Sequence, residues 1–460
     1  MIDIKNINKV YFIGIGGIGM SALARYFKFH GKEVSGYDKT ETALTKQLVG
    51  EGIPVHYEDD LAMAPKDAEL IVFTPAVPNN HSELGFYKQN NYPLLKRSEV
   101  LGAITQSSFN ICVAGTHGKT TITTMVAHIL RHSGYGCNAF LGGIAVNYNS
   151  NFWSHERDTC VVEADEYDRS FLRLSPDIAV ISAMDADHLD IYGTTAAMED
   201  AFIEFSGRVK PGGLLISKHG LARNNDLRAP NRLTYHLQDA QADIHASNIN
   251  MQHGSYSFDA QLQNHTIANV VLNMGGLHNV ENMLAAIAVA HHLGIDDEKI
   301  KAAVEIFKGV RRRFEYVIKK PGLVFVDDYA HHPEELRALI TGAKGLFGNM
   351  HCTVLFQPHL FTRTRDLAKE FAHVLDMADE VVLLPIYPAR ELPIEGVTSD
   401  LILNSMTITD KKVLDKEALK LWVAQVAAGK SRGDGWLLIT AGAGDIDTLV
   451  QPIKTIIESI

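Results

Sequence analysis

A glycine loop with one lysine and several hydroxyl side chains gives the clearest chemical signal in this sequence. An apolar run at 111–114 predicts a buried strand before it, and apolar residues at helical spacing over 125–130 predict a helix after it. The loop residues are Gly115, Thr116, His117, Gly118, Lys119, Thr120 and Thr121. Such a loop holds phosphates with backbone N–H groups and the helix N-terminus, with Lys119 on the β- and γ-phosphates and Thr120 on Mg²⁺. The loop is a shortened variant, because Val113 stands where the usual pattern has its first glycine; an ordinary strand-to-helix turn is the alternative.

Two predicted strands further along the chain end in side chains that bind metal ions. Residues 160–168 run from an apolar strand into four carboxylates, and residues 178–190 end in aspartates and a histidine. Because the carboxyl ends of neighbouring parallel strands lie at one edge of a sheet, Glu163 and His188 are expected together there as Mg²⁺ ligands. A pair of solvated acidic loops is the alternative interpretation.

The amino terminus carries a second glycine loop, with Gly14, Gly16 and Gly19 in the pattern G-x-G-x-x-G. The elements predicted around it are a strand at 10–15, a helix at 20–30, a strand at 33–37 that ends at Asp38, and a strand at 69–74. This is the fingerprint of dinucleotide-binding βαβ units, in which the acidic residue binds a ribose. Glycines that only permit close packing would give the same pattern.

The remaining segments predict further α/β structure. Residues 276–290 predict a helix with Asn279 and Asn282 on one face, which suits a nucleobase contact or, for Asn279, a simple helix cap. The alternation at 242–272 predicts antiparallel strands. The basic run 311–313 reads on its own as a solvated turn. Beyond it, strands near 323, 352, 381 and 436 alternate with helices, including one at 416–428, which predicts a second doubly wound sheet.

Composition limits the function classes. A chain of 460 residues is too long for one core, and its net charge of −11 without a long basic run argues against nucleic acid as a partner. No apolar run reaches about 18 residues, which argues against a membrane span. The four cysteines, 112, 137, 160 and 352, lack metal-ligand spacing and predict free thiols. With no signal peptide in the sequence, we expect a cytoplasmic enzyme.

Taken together and in order, these motifs resemble those of the Mur ligases of peptidoglycan synthesis over essentially the full chain. The matching stretches are residues 14–20, 115–121, 163–166, Asp187 with His188, His278 and Asn279 with Asn282, 312–314, 327–329 with 331–333, 356–359 and 362–366. Any one of them is a weak signal, and their combination is a strong one.

The resemblance implies three α/β domains and an ATP-dependent ligase that joins a carboxylate to an amine. The domains would be a Rossmann-like UDP-sugar domain at 1–107, a central P-loop ATPase-type domain at 108–320, and a Rossmann-like domain at 321–460 that contributes to ATP and amino-acid binding. The implied substrates are UDP-N-acetylmuramate and L-alanine, with ATP and Mg²⁺. The enzyme would be a monomer or a weak homodimer, with no nucleic acid or membrane partner.

The resemblance also implies roles for individual residues. Lys119, Glu163, His188 and Arg313 would be catalytic, and Thr120, Glu163 and His188 would bind the metal. ATP would contact the loop at 115–121 together with Asn279, Asn282, Arg313 and Asp328. The UDP-sugar would contact Gly14, Gly16, Gly17, Ile18, Gly19, Met20, Asp38 and Thr74. The amino acid would contact Tyr329, His331, His359 and Arg363.

Two residues depart from the expected pattern. Leu360 follows His359 where many family members that use L-alanine have an arginine, and Tyr167 gives a form closer to a sister ligase that recycles a whole tripeptide.

Two other classes of protein remain open on the motifs alone. A nicotinamide oxidoreductase would leave the lysine loop and Glu163 without a role, and a nucleotide-dependent binding switch would form no ligation product.

Overall fold

The computed structural model describes residues 4–78, 80–185, 189–389, 391–429 and 435–459. Three sheets succeed one another along the chain, each flanked by helices. This confirms the predicted three-domain α/β architecture. No helix in these ranges has the length and apolar character needed to cross a bilayer.

The first sheet is parallel and has the order β3-β2-β1-β4-β5. Its strands are β1 Lys9–Ile13, β2 Glu33–Tyr37, β3 Val55–His56, β4 Leu70–Phe73 and β5 Leu94–Lys96. Its helices are α1 Ile18–Phe29, α2 Ala43–Gly50, α3 Ser82–Gln89 and α4 Arg97–Gln106. These bounds agree with the sequence-based expectations for β1, α1, β2 and β4 to within two residues.

The second sheet has the order β15-β14-β13-β12-β11-β10-β6-β9-β7-β8. Its strands are β6 Phe109–Ala114, β7 Asn138–Ala145, β8 Ser150–Trp153, β9 Thr159–Glu163, β10 Ile178–Ile181, β11 Leu214–Lys218, β12 Asn231–His236, β13 Ile244–Gln252, β14 Ser255–Leu262 and β15 His265–Leu272. Its helices are α5 Lys119–His132, α6 Leu189–Tyr192, α7 Thr195–Ser206, α8 Leu277–His292 and α9 Asp297–Ile306. Strand β6 pairs in parallel with β9 and β10, so the carboxyl ends of these three strands meet at one edge. The predicted antiparallel region becomes β13–β15, because neighbouring strands joined by two residues must run in opposite directions.

The third sheet has the order β16-β17-β21-β18-β19-β20 and is parallel apart from β16. Its strands are β16 Glu315–Lys320, β17 Leu323–Asp328, β18 His351–Phe356, β19 Glu380–Leu383, β20 Lys411–Val413 and β21 Trp436–Ala441. Its helices are α10 Pro333–Leu346, α11 Phe361–Leu375, α12 Asp400–Ser405, α13 Lys416–Ala428 and α14 Asp447–Glu458. The sheet also contains β16, which precedes the strand expected near 323, because β16 pairs with β17 as a hairpin.

The chain divides into two compact units. One comprises Met1–Ser247, Asp259–Val270 and Glu281–Glu305, and the other Asn248–Phe258, Val271–Val280 and Ile306–Ile460. Within the first unit, α1 packs on β7 and β8, where Tyr26 lies 5.4 Å from Phe140 between ring centres. Buried residues of the first two sheets form one continuous core. This packing fixes the first glycine loop relative to the central sheet.

Candidate functional site

The lysine loop connects β6 to α5 in a conformation that only glycine adopts easily. Gly115 has a φ of +136° and Gly118 a φ of +81°. Ser182, just after the neighbouring strand β10, fastens the loop, since its N–H donates to the Ala114 carbonyl at 3.0 Å and its hydroxyl donates to the His117 carbonyl. The loop is therefore held open over the N-terminus of α5, the end of a helix that attracts anions.

Lys119 is the cation of this loop, and it forms a largely buried ion pair. Its ammonium lies 2.7 Å from Glu166 and donates at 2.7 Å to the Gly115 carbonyl. The Lys119 side chain is 14% exposed and Glu166 is fully buried. Burial raises the pKa of the Glu166 carboxyl, and Lys119 partly offsets that rise. The Lys119 ammonium therefore lies beside the loop, held by Glu166 and by the Gly115 carbonyl.

Thr120 and Glu163 meet at the edge where β6 and β9 end. The Thr120 hydroxyl donates to the Glu163 carboxylate at 3.0 Å, and the Gly142 N–H donates to its other oxygen at 3.0 Å. A Cβ at Gly142 would overlap this carboxylate. Burial raises the pKa of the Glu163 carboxyl, against the lowering influence of Thr120 and Lys119. Hydroxyl and carboxylate oxygens are ligands that Mg²⁺ accepts, so this pair fits the predicted metal.

The other residues assigned to the nucleotide are distributed as follows. His188 lies outside the described residues. Asn282, on α8, places its amide oxygen against Gly118, where an added Cβ would lie 3.0 Å from it. Asn279 is buried, and its amide donates at 2.6 Å to the Gly275 carbonyl, a contact that closes the start of α8.

The amino-terminal loop uses its glycines for close approach. The N–H groups of Gly14 and Ile15 donate to the Tyr37 carbonyl, and the Gly16 N–H donates to the Asp38 carboxylate at 2.7 Å. Gly14 has a φ of +87°, and a Cβ there would overlap Thr74. Both Asp38 oxygens accept backbone N–H groups, from Gly16 and from Thr40, so the carboxylate organises the loop itself.

A cavity of about 310 Å³ joins this loop to the edge that carries Glu163. Its wall includes Ile18, Gly19, Arg97, Gly142, Glu163 and Asp165. Arg97 lies 3.7 Å from Asp165, and a Cβ added at Gly19 would lie 2.9 Å from the Arg97 side chain. A ligand in this cavity would touch both glycine-loop and metal-candidate residues.

The four residues assigned to the amino acid lie close together in the third domain. The ring centres of Tyr329 and His331 are 5.3 Å apart, and those of His331 and His359 are 5.9 Å apart. Burial lowers the pKa of both histidines, and the charge of Arg363 lowers both further. Arg363 Nη1 and His359 Nδ1 are buried without a hydrogen-bond partner in the described ranges. This pocket therefore offers a guanidinium donor and neutral imidazoles to a small ligand.

Arg313 and Asp328 take different positions. Arg313 lies 5.8 Å from the centre of the Tyr329 ring, at the side of the same pocket. Asp328 accepts backbone N–H groups from Phe314 and Ala330, each at 2.7 Å, and burial raises the pKa of its carboxyl to about 6. The observed role of Asp328 is to hold the turn before β16, and its contact with a nucleotide stays a prediction.

Sequence reasoning missed three residues at these sites. Glu166 pairs with Lys119, Arg97 lines the cavity, and Arg312 lies 3.4 Å from the buried Asp327. Glu166 stands at a strand end three residues after Glu163, a signal that the sequence carried. Arg97 carried none, and Arg312 stood in the matched stretch 312–314 without a role of its own, because only the tertiary structure shows which basic side chains turn inward.

Models of known protein families match most of the chain. Three family models match: "Mur ligase family, catalytic domain" at 9–108, "Mur ligase middle domain" at 113–290, and "Mur ligase, glutamate ligase domain" at 312–444. The UDP-N-acetylmuramate–L-alanine ligase of Cytophaga hutchinsonii is 47% identical over 99% of this chain and 98% of its own. The corresponding ligase of Parabacteroides distasonis is 46% identical over the same shares.

Solved structures give the same picture. The UDP-N-acetylmuramate-alanine ligase of Thermotoga maritima superposes with a TM-score of 0.81 at 28% identity, covering 98% of this chain and 99% of its own. A murein peptide ligase from Psychrobacter arcticus gives a TM-score of 0.66 at 22% identity over 98% and 99% of the two chains, a likeness of fold.

Proposed function

Because this chain belongs to the Mur ligase family, we propose that it uses ATP to join L-alanine to the carboxylate of UDP-N-acetylmuramate. The observation that carries the proposal is the meeting of Lys119, Thr120 and Glu163 beside a cavity that reaches the first glycine loop. That arrangement suits the transfer of a phosphoryl group to a carboxylate. Full-length relatives with this activity support the choice of substrates.

The chemistry explains why a phosphate loop is needed. A carboxylate is a poor acyl donor, because its leaving group would be oxide. Transfer of the γ-phosphoryl group to a carboxylate oxygen breaks the P–O bond to ADP and gives an acyl phosphate. Attack by the neutral amine forms the amide bond, releases phosphate and gives up one proton.

The proposed roles of the loop residues follow from charge. Lys119, on leaving Glu166, neutralises the transferring group, and the N-terminus of α5 binds the flanking phosphates. Thr120 and Glu163 hold Mg²⁺, with His188 as the further ligand. When bound, Mg²⁺ neutralises charge on the phosphates. Arg313 adds a cation from the third domain, and Asn282 contacts the adenine side of the nucleotide.

The incoming amino acid has two requirements, a fixed carboxylate and an unprotonated amine. Arg363 supplies a planar donor for the carboxylate. His331 and His359 have lowered pKa values, so their neutral rings are available to receive the amine proton. Tyr329 closes the side of the pocket. Leu360 leaves Arg363 as the main carboxylate partner.

We place the reaction in the cytoplasm, carried out by a monomer or a weak homodimer. Its ATP supply is there, and the four cysteines are buried free thiols, as in a reducing compartment.

A phosphate-release assay with UDP-N-acetylmuramate, ATP, Mg²⁺ and a panel of amines tests the proposal. We expect phosphate and the L-alanyl amide, identified by mass, in equal amounts. Faster turnover with the free tripeptide would assign the chain to the recycling class instead. ATP hydrolysis without an amide product would refute a ligase.

A further inference from the structure

Three side chains with metal-binding atoms lie close together in the central domain. His265 begins β15, His291 lies in the last turn of α8, and Asp297 begins α9. One ligand atom from each lies within 4.8 Å of the other two. His265 Nε2 is 2.7 Å from an Asp297 oxygen, and the two imidazole rings stack with centres 5.1 Å apart at an angle of 11°.

An ordinary surface ion pair would explain only part of this cluster. His265 and Asp297 suffice for an ion pair, and His291 adds a second imidazole to the same point. Neither ring nitrogen of His291 hydrogen-bonds to a group in the part of the chain that the structure describes. A neutral imidazole is the form that binds metals.

The cluster also borders a cavity of about 380 Å³. His265 and His291 line it, and the adjoining His292 lines it too. An ion bound by three protein groups keeps an open coordination position, as zinc sites with two imidazoles and one carboxylate do. Here that position would face the cavity, where water or a small ligand has room.

This place is separate from the nucleotide loop. Asn282 contacts Gly118 near the start of α8, and His291 follows nine residues later on the same helix. At the rise of an α-helix that is about 14 Å along the axis. The cluster therefore has no part in the proposed ligation.

We propose that His265, His291 and Asp297 bind one divalent transition-metal ion of the Zn²⁺ class, with its open position toward the cavity. Ligand atoms around a tetrahedral Zn²⁺ lie about 3.4 Å apart, so the 2.7 Å between His265 Nε2 and the Asp297 oxygen must widen when the ion binds. His265 is 44% exposed, so solvent borders one side of its ring. The ion would tie together β15, α8 and α9, three elements that follow one another along the chain.

Zinc titration of the full-length, chelator-stripped protein tests the proposal, with Mg²⁺ in excess to occupy the site at Glu163. We expect one Zn²⁺ per chain in the parent protein. His291→Ala and Asp297→Asn should each weaken binding by at least about tenfold, the usual effect of losing support at a metal site. His292→Ala is the matched control, because it removes the adjoining histidine of the same cavity, and it should bind as the parent does.

Two results would overturn the proposal. One is a parent protein that takes up no Zn²⁺ under these conditions. The other is equal affinity in the parent, His291→Ala and Asp297→Asn. Should a variant fail to fold, X-ray absorption of the parent's bound zinc decides: nitrogen and oxygen ligands at about 2.0–2.2 Å support the site, whereas sulfur at about 2.3 Å places the ion on a cysteine and refutes it.

Discussion

Arg363→Lys is the sharpest single perturbation of the proposed amino-acid pocket. Arg363 lies in the first turn of α11, and its charge lowers the pKa of His331 and of His359. Its Nη1 is buried and has no hydrogen-bond partner among the described residues. A buried donor without a partner is costly, so a ligand carboxylate is the natural acceptor. Lysine keeps the charge and loses the planar pair of donors.

The expected effect follows from one lost charge-assisted hydrogen bond. Such a bond contributes about 1.5–3 kcal/mol, which corresponds to about a ten- to a hundredfold rise in the KM for L-alanine. The constants for ATP and UDP-N-acetylmuramate should not change, and kcat should fall little, because the interaction is present before and during the reaction. Steady-state phosphate release with each substrate varied in turn measures all of these.

Arg365→Lys is the control. Arg365 lies two residues further along α11, is 52% exposed and pairs with Asp366 at 2.7 Å. Its replacement should leave every constant unchanged. An unchanged KM for L-alanine in Arg363→Lys, or an equal rise in both variants, would refute the placement of the pocket.

Three further predictions concern the lysine loop, a buried acid and a strained turn. Replacing Lys119 by Met together with Glu166 by Gln removes both charges of the buried pair, so ATP turnover should fall by about a hundredfold or more. Calorimetry should show the same affinity for UDP-N-acetylmuramate as in the parent protein. Glu83 is fully buried, and burial raises the pKa of its carboxyl to about 7, so it contributes stability at low pH that is lost as the pH rises toward that value. Between about pH 5 and about pH 8, the free energy of unfolding of Glu83→Gln, measured in urea, should therefore rise by up to about 3 kcal/mol relative to that of the parent. A difference that stays constant with pH would contradict this. The exposed Glu33→Gln variant is the control. Leu360 has a φ of +71° and a ψ of 135°, so Leu360→Gly should be more stable than Leu360→Ala by about 1 kcal/mol; the reverse order, usual in helices, would show that the turn is unstrained.

The sequence predicted those parts of the fold whose signal is local. Apolar runs bounded by glycine located β1, β6 and β21, and helical spacing located α5 and α8. It missed β7 and β8, whose glycines and polar residues weaken the pattern. These two strands pack on α1, and β7 brings Gly142 to Glu163, so their place depends on contacts distant in sequence. The hairpin of β16 was missed for the same reason.

At the candidate site, the sequence indicated the chemistry of the motifs but not which groups their side chains contact. The pairing of Thr120 with Glu163 follows from two parallel strands that end at one edge, which the pattern predicted. That Glu166 rather than solvent faces Lys119 depends on how the chain turns after β9. Asp38 has the spacing of a ribose ligand, yet its carboxylate accepts the Gly16 N–H. The spacing of a motif indicates which residues can lie at a site, and the packing of the folded chain decides which group each side chain contacts.

The central claim is that a carboxylate is activated as an acyl phosphate at the lysine loop, and transfer of an oxygen label tests it most directly. UDP-N-acetylmuramate labelled with ¹⁸O in its carboxylate is incubated with ATP, Mg²⁺, L-alanine and the enzyme. The masses of the released phosphate and of the L-alanyl sugar nucleotide are then measured by mass spectrometry. The account predicts one labelled oxygen in each phosphate released and the other in the new amide. Unlabelled phosphate, with both labels still on the sugar nucleotide, would contradict it.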